Sequence, residues 1–306
     1  MSESAAEYLG VDISKHNLLP IISSTKPTEP CPFRRSSCVK LRKGQAPVCS
    51  VRNPRGGLWI VCEHRLCSST PKDLALNSYQ RDILEMIADT IVPNWRETAE
   101  VAVQREGRVR RRVGTNSSDD SSADYFMVFI DPKTGKQHPS IKPVILEMQG
   151  GGETSNTKAM TDHVKAWESG QNVDLSAPTN VSSIETNAWR RQQEQFLIKG
   201  SVATRSNGKL VFVVGNRLFD KLMSNLTSTP TQIDVQGGWT LAVIAVVEDP
   251  NGVGTNESIR LGIDPSRTLF TDYGSFARSL TDQGQYDPEL FSGEFVTLDG
   301  QTITLN

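Results

Sequence analysis

The chain has 306 residues, enough for one large domain or two unequal ones, and its 37% hydrophobic and 22% charged residues suit a globular protein with polar loops. A net charge of -2 excludes a uniformly basic nucleic-acid binder. The absence of any run of about 18 apolar residues excludes a spanning helix, and the N-terminus MSESAAEYLGVDISKH lacks a charged and then apolar secretory signal, so a reducing cytoplasm is expected.

Residues 1–30 read as an extended lead-in: a weakly amphipathic piece (Tyr8, Leu9, Val11, Ile13), then the proline- and serine-rich LLPIISSTKPTEP. The next segment holds every cysteine of the protein, namely Cys31, Cys38, Cys49, Cys62 and Cys67. Disulfides are disfavoured in a reducing compartment, so a metal site made by a loop-rich segment too small for its own core is the better reading. The first four, spaced C-x6-C-x10-C-x12-C, are the better ligand set. Cys67 reads as a spare that could exchange with Cys62, and His64 as a competing ligand or a surface residue. LWIVC, residues 58–62, reads as a strand delivering Cys62. The same stretch is basic (Arg34, Arg35, Lys40, Arg42, Lys43, Arg52, Arg55 and Arg65, against Glu63), and Arg108, Arg110, Arg111 and Arg112 form a second cluster. Local patches of this kind bind phosphates whatever the total charge, although such runs are often no more than solvated faces.

Residues 76–92 show helical periodicity, with Leu76, Tyr79, Ile83, Leu84, Ile87, Ala88 and Ile91 on one face and Pro93 as the stop. AEVAVQREGRV alternates as a strand does, and GTNSSDDSSAD reads as a polar loop. Two apolar strands follow, DYFMVFI from Asp124 and VILEMQ over 144–149. Glu147 and Gln149 lie two apart, so on an extended backbone they point the same way. A carboxylate on one strand and a carboxylate plus a polar ligand on its neighbour can converge on one hard cation, the D…ExK pattern of nucleases with Gln in the place of Lys. The plain alternative is two ordinary strands with polar ends. The glycines after Gln149 permit close approach of a ligand or of another strand. Residues 155–167 and 185–201 read as helices, the second carrying a stripe of Ala188, Gln192, Gln195 and Lys199. KLVFVVG is a strand, NRLFDKLMSNL a helix, WTLAVIAVVED an apolar strand expected at the centre of the sheet, and GEFVTLDGQTITL a hairpin turning at Asp299-Gly300. The order of elements predicts an α/β fold with a mixed sheet flanked by helices.

Several of these stretches together resemble the NotI-like type II restriction endonucleases: CPFRRSSCVK…PVCSVRN…LWIVCEHR resembles their four-cysteine segment, VILEMQ their active-site strand, DYFMVF the strand before it, and NAWRRQQEQFLIK the following helix, with Asn187, Arg191, Gln195 and Lys199 at corresponding places. The first and third cysteine intervals are shorter here than in that family, and the last third of the chain shows no such likeness. The resemblance implies a PD-(D/E)xK fold in its ExQ form, with a metal-binding region over 1–70 and a nuclease core with a C-terminal extension over 71–306. It implies Asp124, Glu147 and Gln149 as the catalytic set, with Asp124 and Glu147 holding magnesium. It implies Cys31, Cys38, Cys49 and Cys62 around a structural iron, a set that suits zinc as well. The expected partner is double-stranded DNA, cut on both strands by a homodimer, with Arg34, Arg35, Arg108, Arg110, Arg111, Arg112, Arg191, Gln195 and Lys199 as DNA contacts. The rivals are a non-catalytic DNA-binding protein with a four-cysteine module, a DNA nuclease outside restriction, and a redox protein using thiolate-bound iron.

Overall fold

The computed structural model describes residues 2–15, 31–34, 36–67, 75–113, 117–151, 154–183, 185–255, 257–282 and 292–305. The expected lead-in over LLPIISSTKPTEP, the side chains of Arg110, Arg111, Arg112 and Arg191, and the whole of Arg35 lie outside the described residues.

Two sheets carry the fold. The N-terminal one is antiparallel: β1 (Ser4–Tyr8), β2 (Val11–Asp12), β3 (Val48–Arg52) and β4 (Leu58–Ile60), in the order β2-β1-β3-β4. A single turn of helix, α1 (Val39–Arg42), lies between β2 and β3. The central sheet is built from β5 (Glu100–Val113), β6 (Ser117–Asp131), β7 (Lys136–Gln137), β8 (Val144–Gln149), β9 (Lys209–Gly215), β10 (Leu241–Val253) and β11 (Leu261–Thr271). Its order is β11-β10-β9-β8-β6-β5, with β7 paired to β6. The pairs β8/β9 and β9/β10 are parallel and the others antiparallel, so the sheet is mixed, as the alternation of elements predicted.

Helices cover both faces. α2 (Ser78–Ile91) starts at a capping box between Asn77 and Gln80 and buries the predicted stripe from Tyr79 to Ile91. It packs on the face formed by Tyr125, Met127, Phe129, Leu146 and Val213. α3 (Thr157–Glu168), α4 (Glu185–Arg205), α5 (Asn216–Ser224) and α6 (Tyr273–Thr281) contribute to the other layer, with Ile145, Leu210, Phe212 and Val243 from the sheet. Residues 210–214 alternate strictly between the two layers, the pattern of a strand buried on both sides.

Several expectations change. Residues 4–12 are not a lead-in but two buried strands: Ala5, Ala6, Tyr8 and Val11 are core, and Glu7 among them is wholly buried. The acid disguised the strand, because its partner, Arg65, lies 58 residues away. The residues numbered 117–123, read as a polar loop, belong to β6 and pair with β5 from Val113↔Ser117 to Arg105↔Tyr125. Only Tyr125–Met127 of β6 pairs with β8, so residues 107–113 and 117–122 extend past β8 as a two-stranded arm, held by the β5–β6 ladder and, at its base, by Val109, Ala123 and the Lys199 bond to the Ser122 carbonyl. β10, expected at the centre, has β11 outside it, a strand whose Asp264, Pro265 and Ser266 concealed the alternation. The cysteine segment, as expected, has no core of its own: Cys31, Phe33, Cys49, Leu58 and Leu66 pack with α2, while Val48, Val51 and Trp59 pack in the layer with α4.

Candidate active site

Asp124 and Glu147 meet where β6 and β8 pair. The register Tyr125↔Leu146 and Phe126↔Ile145, continued by one residue, sets Asp124 opposite Glu147. Asp124 Oδ2 accepts a hydrogen bond from the Met148 amide at 2.7 Å. The β5–β6 ladder is distorted at this level. Strict alternation would put Ala123 in the layer of Tyr125 and Met127, yet Ala123 and Val109 pack in the opposite layer with α4. Across from Asp124 in the ladder, Glu106 has φ 45, a left-handed conformation rare for a glutamate and a mark of local strain. The switch of facing buries Ala123 and Val109 on the α4 side while Asp124 still lines the cleft, the use a strand irregularity has beside a site.

Glu147 and Gln149 project towards α4, since Leu146 and Met148 are core on the α2 side. Gln149 donates from Nε2 to the Gly151 carbonyl at 3.1 Å, which leaves its amide oxygen as an available acceptor. From α4, Lys199 reaches across: its Nζ donates to Glu147 Oε1 at 2.6 Å and to the Ser122 carbonyl at 2.6 Å. The Lys199 side chain is only 3% exposed. The cleft of about 400 Å3 is lined by Glu63, Asp124, Glu147, Met148, Gln149, Gln192, Glu194 and Gln195. Burial and the nearby Asp124 carboxylate raise the Glu147 carboxyl to about 7, and the Lys199 ammonium opposes the rise.

The sequence-predicted residues Asp124, Glu147, Gln149, Gln195 and Lys199 are thus brought together. Lys199, expected among the DNA contacts, is buried against the carboxylates. Arg34 is also buried and its Nη1 lies 2.9 Å from His64 Nε2, so it is not on an open face. Arg108 is exposed. Glu63, Gln192 and Glu194 were missed as cleft residues. Gln192 carried a signal, since it shares the helical stripe of Gln195 and Lys199, whereas Glu63 comes from the cysteine segment and had none.

That segment adjoins the cleft through glycines. Gly151 bridges Ile60 of β4, a Cβ on Gly150 would meet the Ile60 side chain at 2.6 Å, and a Cβ on Gly215 would meet the Gly150 carbonyl at 2.1 Å. The glycines after Gln149 therefore admit another strand. A second cavity, about 550 Å3, is lined by Cys31, Cys38, Cys49, Cys62 and His64 and shares Glu63, Met148 and Gln149 with the carboxylate cleft. The neighbouring Cys49, with Lys40 and His64, holds Cys62 down at about 6 against its burial, and the same neighbour together with burial pushes Cys49 up, the Cys49 thiol donating to the Pro47 carbonyl at 3.8 Å. Burial pushes Cys31 up to about 12. Cys67 stands apart: its sulfur lies 3.5 Å from the Tyr125 hydroxyl, which donates to the Cys67 carbonyl at 2.6 Å. Among the described residues, no group of three or more Cys, His, Asp or Glu side chains is arranged, as it stands, to hold a metal ion. Among them, too, no helix is long and apolar enough to cross a membrane.

Compared with protein-family models and with curated proteins, the chain matches none.

Proposed function

We propose that the chain is a magnesium-dependent, site-specific DNA endonuclease of the restriction type, on a PD-(D/E)xK core in its ExQ form. The observation that carries this reading is the meeting of Asp124, Glu147 and Gln149 in one cleft with the Lys199 ammonium bonded to Glu147. The donor set fits a magnesium ion. Two carboxylates in an acidic cleft, with Glu63 and Glu194 beside them, suit a hard cation that keeps most of its waters and takes the rest of its shell from a phosphate. Magnesium, when bound, supplies charge stabilisation and a more acidic water.

The chain's own groups do the rest. Lys199 provides the cation that Gln149 cannot: it orients Glu147 and lowers the cost of a second carboxylate beside Asp124. Gln149, tethered through its Nε2, keeps a carbonyl oxygen to accept a hydrogen bond from the attacking water. Gln192 and Gln195 are placed to hydrogen-bond the phosphate or the sugar edge. The arm of residues 107–113 and 117–122, with Arg108, Arg110, Arg111 and Arg112 on one strand, is a two-stranded ribbon of the kind the major groove admits. Arg35 and Arg191 remain as further DNA contacts. Cys31, Cys38, Cys49 and Cys62 would hold iron or zinc after drawing together in their shared cavity, fixing β4 against the end of β8. Cutting both strands of a symmetric site would take two copies.

The test is digestion of plasmid and phage DNA by the purified protein with magnesium, followed by sequencing of the fragment ends. Discrete fragments sharing one end sequence support the reading. A smear with unrelated ends would keep a nuclease and remove the restriction assignment. Tight DNA binding without cleavage would favour a non-catalytic four-cysteine binding module.

A further inference from the structure

On the α2 side of the edge strand β5 lies a cavity of about 670 Å3 that shares no residue with the carboxylate cleft. Leu84, Trp95, Val101 and Val103 form its apolar wall. Arg81 of α2 and Arg105 and Arg108 of β5 line it as well, together with Glu85 and Glu106. On a regular strand Arg105 and Arg108, three apart, would face opposite sides. The left-handed Glu106 between them, at φ 45, breaks the alternation and brings both to one cavity.

The positive charge gathered there lacks an equal answer. Arg105 Nη2 donates to Gln80 Oε1 at 3.3 Å, but Nη1 is buried with no hydrogen-bond partner. A buried guanidinium nitrogen left in this way is costly, and an anionic acceptor relieves it. Arg81 and Arg108 are exposed, and among the described residues no carboxylate forms an ion pair with either. Glu85 is engaged by Arg96 Nη2 at 2.9 Å. Glu106 remains, and burial and the Asp124 carboxylate both oppose its charge. The cavity is therefore short of negative charge, and its apolar wall strengthens the attraction of an anion to the arginines.

Guanidiniums converging from two elements suit a tetrahedral oxyanion, because each offers paired N–H donors. In the β5–β6 ladder Glu106 stands across from Asp124, so cavity and cleft lie at one level of the sheet, and Arg108 begins the basic arm. We propose that Arg81, Arg105 and Arg108 anchor a backbone phosphate of DNA, one flanking the phosphate that is cut. The proposal rests on the nuclease reading. It adds Arg81 and Arg105 to the DNA-binding residues, and the anchor sets the position of the duplex over the Asp124–Glu147 cleft without reading sequence.

The experiment is a salt titration of binding to a short fluorescent duplex, followed by anisotropy, with the full chain and no divalent metal, so that nothing is cut. Arg81→Gln and Arg105→Gln should each weaken binding by about tenfold at about 0.1 M salt and flatten the plot of log Kd against log salt by about one unit. Arg81→Lys, which keeps the charge, should hold the wild-type slope. Arg267→Gln, on the opposite edge strand beside Asp220 and Asp264, should change neither quantity. Should Arg105→Gln fail to fold, the exposed Arg81 carries the test. An unchanged slope in Arg81→Gln, or a loss equalled by Arg267→Gln, would overturn the proposal. Discrete fragments from the magnesium digest beside an unchanged slope would remove the anchor and keep the nuclease. Binding of inorganic phosphate without binding of the duplex would also overturn it, and the digest then judges the nuclease reading separately.

Discussion

Two of the buried acid–base pairs among the described residues, Glu7–Arg65 and Glu147–Lys199, differ in a way that separates architecture from chemistry. Glu7 and Arg65 are both fully buried. Glu7 accepts from Arg65 Nε, from Ser50 Oγ at 2.7 Å and from the Ile259 amide at 3.0 Å, while Arg65 also bonds the Tyr79 hydroxyl and the Ile259 carbonyl and lies over the Phe33 ring. Oxygens and guanidinium alike are met by groups from β1, β3, the cysteine segment, α2 and the stretch before β11. Glu147 and Lys199 share a single bond at the wall of an open cleft, with a second carboxylate close enough to raise Glu147 to about 7. A saturated pair holds elements together; an unsaturated one, short of positive charge, is where a cation would bind.

The sharpest way to break this comparison is to cut each pair once. Arg65→Ala leaves Glu7 buried without its cation and should cost about 3–5 kcal/mol in a urea titration, enough to threaten folding. Lys199→Met should leave stability within about 1 kcal/mol, because Glu147 can take up a proton and the cleft admits water. Its expected loss is in cleavage, on the order of 100-fold at neutral pH, the scale of removing one preorganised electrostatic group. The remaining activity should move to higher pH, since the ammonium that lowers the Glu147 proton affinity is gone. If Lys199→Met unfolds the chain as Arg65→Ala does, the two pairs are of one kind and the distinction fails.

A smaller effect sharpens the site side. A carboxyl raised to about 7 keeps its proton below that pH, and a cation must displace it. Magnesium affinity measured by calorimetry should therefore be level above pH 7 and fall by about tenfold per unit below it. In the metal-free protein the same raised carboxyl favours the folded state at low pH, so its contribution is lost as pH rises from about 4.5 to about 7.

How much of this the sequence showed depends on the range of the interactions. β8, β9, α2 and the C-terminal ribbon carry their signal within themselves: short apolar runs, helical periodicity ended by a proline, an Asp-Gly turn. The spacing of Glu147 and Gln149 and the stripe of Gln192, Gln195 and Lys199 were local too, and they fixed which side chains could meet. What stayed hidden depends on distant partners. β1 contains an acid whose base lies 58 residues on, the arm strand of β6 is polar and held by its ladder, and Glu63 enters the cleft only because glycines let β4 approach β8. The ion pair of Lys199 stayed hidden because its partner, Glu147, lies 52 residues earlier.

The least of the expected effects concerns the fifth cysteine. Elemental analysis of the purified protein should find about one iron or zinc ion per chain. Cys62→Ser should lose it, and Cys67→Ser should keep it, because Cys67 is turned to Tyr125 rather than into the four-cysteine cavity.

The most direct measurement is a digest of one phage DNA with magnesium by wild type and by Glu147→Ala, both first shown to be folded by circular dichroism. The account predicts discrete fragments from the wild type and none from the variant. Equal cleavage by both, or no cleavage by a folded, metal-loaded wild type across varied DNAs, would contradict the assignment of the Asp124–Glu147–Lys199 cleft as a nuclease centre.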